Sequence, residues 1–341
     1  MIRKSSKHKG RLGNFLNQIR YKIGNFFLQG FVATLPWLPC SILSSFTWLT
    51  AQLSFLFLWK YRQQMEKNIS VVMSSEFPTV KKRKALVRAA WKNFAQGRYE
   101  TIDTLYLSKE KICSTIAVQG EDHLKRALAR GRGVIGLSAH LGSFTMIGPR
   151  LTAAGYAFTV VIKQPRDEGF ARLMNSYRAQ VGIKTISARP RQLAARQILK
   201  ALRENDVVLL IADQFKSAGV EVEFFGRPAP APRGPVTLAL RTGAALLPMF
   251  MIRNPEGLLT LYIEPELNLT QTGNLQEDLT SNVAMFSRTL ETMVRRFPEQ
   301  WNWLGFRQDG RIPRTRRVPS KPKPSTSRPQ DHYPPSAGPT V

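Results

Sequence analysis

The chain has 341 residues, enough for one large core or two modest ones, and its 43% hydrophobic content excludes a largely disordered protein. Its formal net charge of +27 calls for an acidic partner: nucleic acid, anionic lipid head groups or an acidic protein. Cys40 and Cys113 are too few for a disulfide framework, which fits a reducing compartment, and the absence of any Cys/His cluster implies neither a metal nor a cofactor.

Residues 1–22 hold seven Lys or Arg and no acid, and read as a solvated basic arm. From Ile23 to Trp59 there is no charged residue for 37 positions, where about 20 span a bilayer as a helix. This stretch is expected to be a membrane anchor; it is too long for the apolar region of a signal peptide. Pro36 and Pro39 should break a helix in its first half. Arg20 and Lys22 before it, and Lys60 and Arg62 after it, draw both ends to the cytoplasmic side, so the anchor is expected to bend back.

Residues 60–110 read as helices, with Ala85, Leu86, Ala89, Ala90 and Phe94 forming one apolar face. The pattern then alternates. A helix over 121–130 precedes a strand at Val134–Leu137, and another helix follows Gly142. Then come strand Phe158–Ile162, helix Asp167–Val181, helix Arg191–Glu204 and strand Val207–Ile211. Further strands are expected at Val220–Phe225, Ala245–Ile252 and Leu259–Ile263, and a last helix at Leu279–Arg296. This predicts an α/β fold: a mixed sheet flanked by helices over residues 60–310, behind an anchor at 23–59. From Arg311 the chain carries eight Pro in 31 residues with net charge +6, the composition of a disordered tail. Removing +7 for the arm and +6 for the tail leaves +14 on residues 23–310.

The chain has four histidines. His8 lies in the arm, His332 in the tail, and His123 at a helix start where it caps. His140 alone sits where an apolar strand turns into a helix, the place open α/β sheets put ligands. It is the candidate general base. Gly142 beside it permits close approach of backbone or substrate. Asp213-Gln214 closes a strand and reads as a polar site rim or a turn. The Gly/Pro loop from Gly226 to Gly234 carries Arg227 and Arg233, and with the helix start after it could grip a phosphorylated ligand.

Several segments, in order, resemble the bacterial lipid A biosynthesis acyltransferases, within the wider glycerolipid acyltransferase group. They are Met65-Glu66-Lys67-Asn68, Gly120 to Leu124, Ala129 to Val134, Ala212-Asp213-Gln214, Val222 to Gly226, Gly234, and Ala244 to Pro248. The resemblance runs from about residue 20 to 310. It implies a dyad written His-X4-Asp/Glu, in which the His deprotonates an acceptor hydroxyl and the acid orients the imidazole. His140 matches; the acid position holds Thr145. The protein is then a non-catalytic relative, or a carboxylate such as Asp213 or Glu100 reaches His140 in space, or the chemistry runs without an acid. Lys163-Gln164-Pro165-Arg166 falls where the family has a basic residue before a proline, so Lys163 or Arg166 could bind phosphate or a developing oxyanion.

The implied reaction transfers a fatty acyl chain from a thioester on acyl carrier protein or coenzyme A to a hydroxyl of a membrane glycolipid, such as a lipid A precursor. The expected substrate contacts are Lys163, Arg166, Asp213, Gln214 and Arg233. The expected place is the cytoplasmic face of the inner membrane, against an anionic surface. The alternative is an acyltransferase-like lipid-binding protein without turnover. No helix-turn-helix, zinc or ribonucleoprotein pattern supports nucleic-acid binding.

Overall fold

The computed structural model describes residues 40–104, 107–165, 168–215 and 219–304. Three helices come first: α1 (Cys40–Phe57), α2 (Trp59–Val72) and α3 (Val80–Asp103). Then follow α4 (Lys109–Thr115), β1 (Ile116–Gln119), α5 (Glu121–Leu128), β2 (Val134–Ser138), a 3-10 turn Phe144–Met146 and α6 (Ile147–Ala153). Next are β3 (Phe158–Ile162), α7 (Glu168–Gln180), β4 (Ile183–Ser187), α8 (Arg191–Arg203) and β5 (Val207–Ile211). The chain ends its described part with β6 (Val220–Phe224), β7 (Arg227–Ala231), α9 (Gly234–Thr242), β8 (Ala245–Arg253), β9 (Leu259–Ile263), α10 (Leu275–Arg296) and a 3-10 turn Pro298–Gln300.

Seven strands make one sheet in the order β1-β9-β8-β2-β5-β3-β4. All neighbours are parallel except β8 and β9, so the sheet is mixed, as expected. Side chains alternate across it. Ile135 and Leu137 of β2, Val208 of β5 and Phe250 of β8 pack into one core with α2, α3, α8, α9 and α10. Val134, Val207, Leu209 and Met249 face the other way, into a second core with α4, α5 and α6. Strands covered on both faces read as continuous apolar runs, which is the pattern of β2, β5 and β8.

Local chemistry sets the boundaries. Asn274 caps α10, accepting from the backbone N–H groups of Gln276 and Glu277, and acids at the helix start answer Arg295 and Arg296 at its end. Phe225 and Gly226 join β6 to β7, both with positive φ, the geometry of a two-residue hairpin. The N–H of Phe225, strained at φ 54°, donates to Glu291 of α10 at 2.6 Å. Pro228 and Pro230 are accommodated because β7 belongs to this separate two-stranded hairpin, at a sheet edge.

Two expectations change. The segment 226–234, read as a loop, contains β7; β1 and β4 extend the sheet beyond the strands read from the sequence. Among the described residues no helix is long and apolar enough to cross a membrane. The anchor stretch is described only from Cys40, where α1 carries 18 residues and packs on α3: the Phe55 and Trp91 rings meet edge-on at 6.0 Å, and Trp91 Nε1 donates to Ser54 Oγ. The proposed break at Pro36 and Pro39, the basic arm and the tail from 311 lie outside the described residues.

Candidate active site

The site is assembled by strand register. Strands β2 and β5 are parallel neighbours, with Ser138 opposite Ile211. Two residues further on, at the carboxyl ends of both strands, stand His140 and Asp213. The ladder therefore brings together two residues 73 positions apart, and Ala212 N–H to Ser138 O closes it at 2.8 Å.

The Asp213 carboxylate receives three donors. His140 Nδ1 lies 2.7 Å from Oδ1, the backbone N–H of His140 donates to Oδ2 at 2.8 Å, and Trp301 Nε1 donates to Oδ2 at 3.0 Å. An ionised carboxylate only accepts, so the proton of the neutral imidazole sits on Nδ1 and the lone pair on Nε2. The Asp213 side chain is 4% exposed and that of His140 25%, so the acid is enclosed and the ring reaches the surface. Phe144 meets the ring edge-on, centroids 5.0 Å apart.

The loop behind the ring is held at several points. The Gly142 N–H donates to Gln300 O, Ser143 N–H to Met251 O, and Asn302 N–H to His140 O. Gly142 has φ +59°, and a Cβ there would stand 2.0 Å from the Met251 carbonyl oxygen. Only glycine fits.

Of the two carboxylates considered from the sequence, Asp213 meets His140 and Glu100 does not. Glu100 is engaged by Arg253 and by Ser143 Oγ. Thr145, at the position of the family's acid, shares a hydrogen bond with Thr101 Oγ1 at 2.7 Å. Among the expected substrate contacts, Lys163 is exposed just past β3, one strand beyond β5 at the same end of the sheet. Gln214 is exposed beside Asp213, and Arg233 is exposed at the start of α9. Arg166 lies outside the described residues. A cavity of about 490 Å³ lies elsewhere, between α7 and β4, lined by Gln164, Asn175 and Thr185. Among the described residues no group of three or more His, Cys, Asp or Glu could hold a metal.

Sequence reasoning missed Trp301, Ser143 and Arg253. Arg253 is visible in retrospect as the charge that ends an apolar nine-residue strand, and Trp301 as the first Trp of Trp-Asn-Trp. Nothing in the pattern marks Ser143.

The family described as bacterial lipid A biosynthesis acyltransferase matches residues 14–307. A phosphatidylinositol mannoside acyltransferase of Mycobacterium tuberculosis is 30% identical over 190 residues, covering 54% of this chain and 60% of that protein. The protein of the same name from Mycolicibacterium smegmatis is 26% identical over 244 residues, covering 71% and 78%. A lipid A biosynthesis palmitoleoyltransferase of Escherichia coli is 21% identical over 252 residues, covering 73% and 78%.

Proposed function

Because the chain belongs to the bacterial lipid A biosynthesis acyltransferase family, we propose that it transfers a fatty acyl group from a thioester to a hydroxyl of a membrane glycolipid, with His140 as general base and Asp213 as its acid partner. One observation carries this reading: an imidazole at the rim of a strand end, with Nδ1 held 2.7 Å from an enclosed carboxylate.

In the proposed step the acceptor hydroxyl gives its proton to His140 Nε2 as its oxygen bonds to the thioester carbonyl carbon. Asp213 opposes the positive charge that forms on the ring. The tetrahedral intermediate collapses, the carbon–sulfur bond breaks, and the Nε2 proton passes to the departing sulfur. The acid that the family pattern places five residues after the histidine is supplied here from the next strand, so Thr145 need not take part. Lys163 and Gln214, just past β3 and β5, and Arg233, at the start of α9, are proposed contacts for the polar groups of the substrates; Arg166 belongs to the same proposal.

The donor is proposed to be an acyl thioester of acyl carrier protein or coenzyme A. Both are anionic, and +14 over residues 23–310 would hasten encounter with either. Relatives named for phosphatidylinositol mannoside and for lipid A support a glycolipid acceptor. The surface supports a membrane seat at the cytoplasmic face. Leu49, Leu53, Leu56, Phe57, Leu58 and Trp59 are exposed on and just after α1, with Lys60 and Arg62 beside them. An apolar strip rimmed by cations is the makeup of a helix lying in the bilayer interface.

Thr145 favours a second reading, a binding protein without turnover. One assay separates them. Membranes carrying the protein are given labelled acyl carrier protein thioester or acyl-CoA with phosphatidylinositol mannoside and lipid A precursor acceptors. Transfer is expected from wild type, and a loss of roughly 10²–10⁴-fold in His140→Ala. Transfer unchanged in His140→Ala would remove His140 as the base, and no transfer to any acceptor would favour the second reading.

A further inference from the structure

We propose that Glu100, Arg253 and Ser143 form a positioning clamp that fixes the backbone of the His140 loop and so keeps the imidazole aligned on Asp213. The inference rests on the acyl-transfer reading above and deepens it.

Three distant elements meet at one hydroxyl. Ser143 lies three residues past His140 and is 2% exposed. Its Oγ donates to Glu100 Oε2 of α3 at 2.6 Å and accepts from Arg253 Nη2 of β8 at 2.9 Å. Arg253 and Glu100 also pair directly, Nη2 to Oε2 at 2.6 Å and Nη1 to Oε1 at 2.5 Å. That is the two-pronged geometry with the strongest orientational preference among ion pairs. The two side chains are only 9% and 15% exposed.

A buried ion pair is a poor way to gain stability, since desolvation offsets most of its attraction and apolar residues of equal size often do as well. What it does supply is direction. Arg253 is itself locked: its N–H donates to Gln300 Oε1, its carbonyl accepts from Gln300 Nε2, and its Nη1 donates to Gly257 O. The carbonyl of the same Gln300 holds the Gly142 N–H. The loop is thus tied to β8, to α3 and to the segment 298–301. Helix α3 comes this close because Gly97 faces the loop; a Cβ there would stand 3.3 Å from Ser143 Oγ. The clamp takes no part in the chemistry as proposed. It acts through His140.

The test uses the full-length protein in membranes or detergent. Ser143→Ala removes the bridge and leaves the ion pair; the double variant Glu100→Leu/Arg253→Met removes the pair without stranding either charge. For each, kcat is expected to fall by roughly 10²-fold, the scale of a small misplacement of a reacting group, with donor and acceptor KM near wild type. In a His140→Ala background the same changes should cost nothing further. Nitrogen NMR of labelled histidine, assigned through His140→Ala, reads the ring directly: wild type should show the Nδ1-protonated tautomer, and the variants a mixture. Unchanged kcat in Ser143→Ala, or an equal loss in the His140→Ala background, overturns the clamp. If wild-type protein transfers no acyl group, the function proposal fails by itself. The clamp is then judged by the tautomer alone, and an unchanged spectrum in both variants sinks it.

Discussion

Asp213 accepts three hydrogen bonds, two from His140 and one from Trp301, and this concentration makes its role testable one atom at a time. Asp213→Asn keeps the shape but puts an amide where the charge was, and it allows the ring to flip tautomer. We expect acyl transfer to fall by 10²-fold or more, toward the roughly 10⁴-fold cost of the same change in a serine protease triad. Trp301→Phe removes one neutral donor to a charged acceptor, for which about 1.5–3 kcal/mol is expected in stability, measured by thermal unfolding. Thr145→Val removes only the hydrogen bond to Thr101 on an exposed site and should leave transfer within about threefold, the equivalent of ~0.5 kcal/mol. A large loss in Thr145→Val would assign this position a part in the reaction. At this scale the sequence was half legible. His140 emerged by elimination among four histidines, and Asp213 stood among the candidates. Their pairing was hidden because contact depends on which strands are neighbours, and strand order is written in no local pattern.

The elements tell a similar story through different residues. Strands β2, β5 and β8 were readable because burial on both faces leaves Val, Ile, Leu, Met and Phe with no polar interruption. Strand β4, Ile-Lys-Thr-Ile-Ser, mixes polar and apolar residues because it is an edge, and β1 is only four residues long. Strand β7 hid behind its prolines, which only an edge position allows. The turn after β2 depends on one residue. Gly142→Ala demands a positive φ from alanine and drives a methyl into the Met251 carbonyl. We expect a loss of about 1–3 kcal/mol in unfolding free energy, together with weaker acyl transfer. Helix α1 can be tested separately. Leu53→Asp/Phe57→Asp changes exposed side chains, so the fold should hold. Vesicle co-sedimentation with anionic lipid should fall roughly 30-fold per residue if about 2 kcal/mol of burial is lost at each. Binding to vesicles at wild-type strength would move the membrane seat off α1.

Over the whole molecule, the excess of positive charge was plain from composition, and the α/β class from the alternation of strands and helices. Composition could not show that the two cores on opposite faces of the sheet are held at their margins by polar ties. One tie is Tyr156, just before β3, donating to Glu121 Oε1 of α5 at 2.7 Å. Burial and then this bond push the phenol from its ordinary 10.0 up to about 12. The same bond, more than the salt bridge to Lys125, holds the Glu121 carboxyl below its ordinary value. A phenol that stays protonated in the fold adds stability below the unfolded value, and that stability is lost as pH rises from about 10 to 12. The carboxyl adds stability above its unfolded value, lost as pH falls through its folded one. Thermal unfolding of Tyr156→Phe is therefore expected to decline less steeply than wild type between about pH 10 and 12.

The rung that sets Ser138 opposite Ile211 has a consequence for how such a site is found. In the proposed reaction two adjoining strands hold base and acid in step, and no acid is needed on the turn that follows. Chemistry placed in the weave of the sheet is passed over by a motif confined to six consecutive letters.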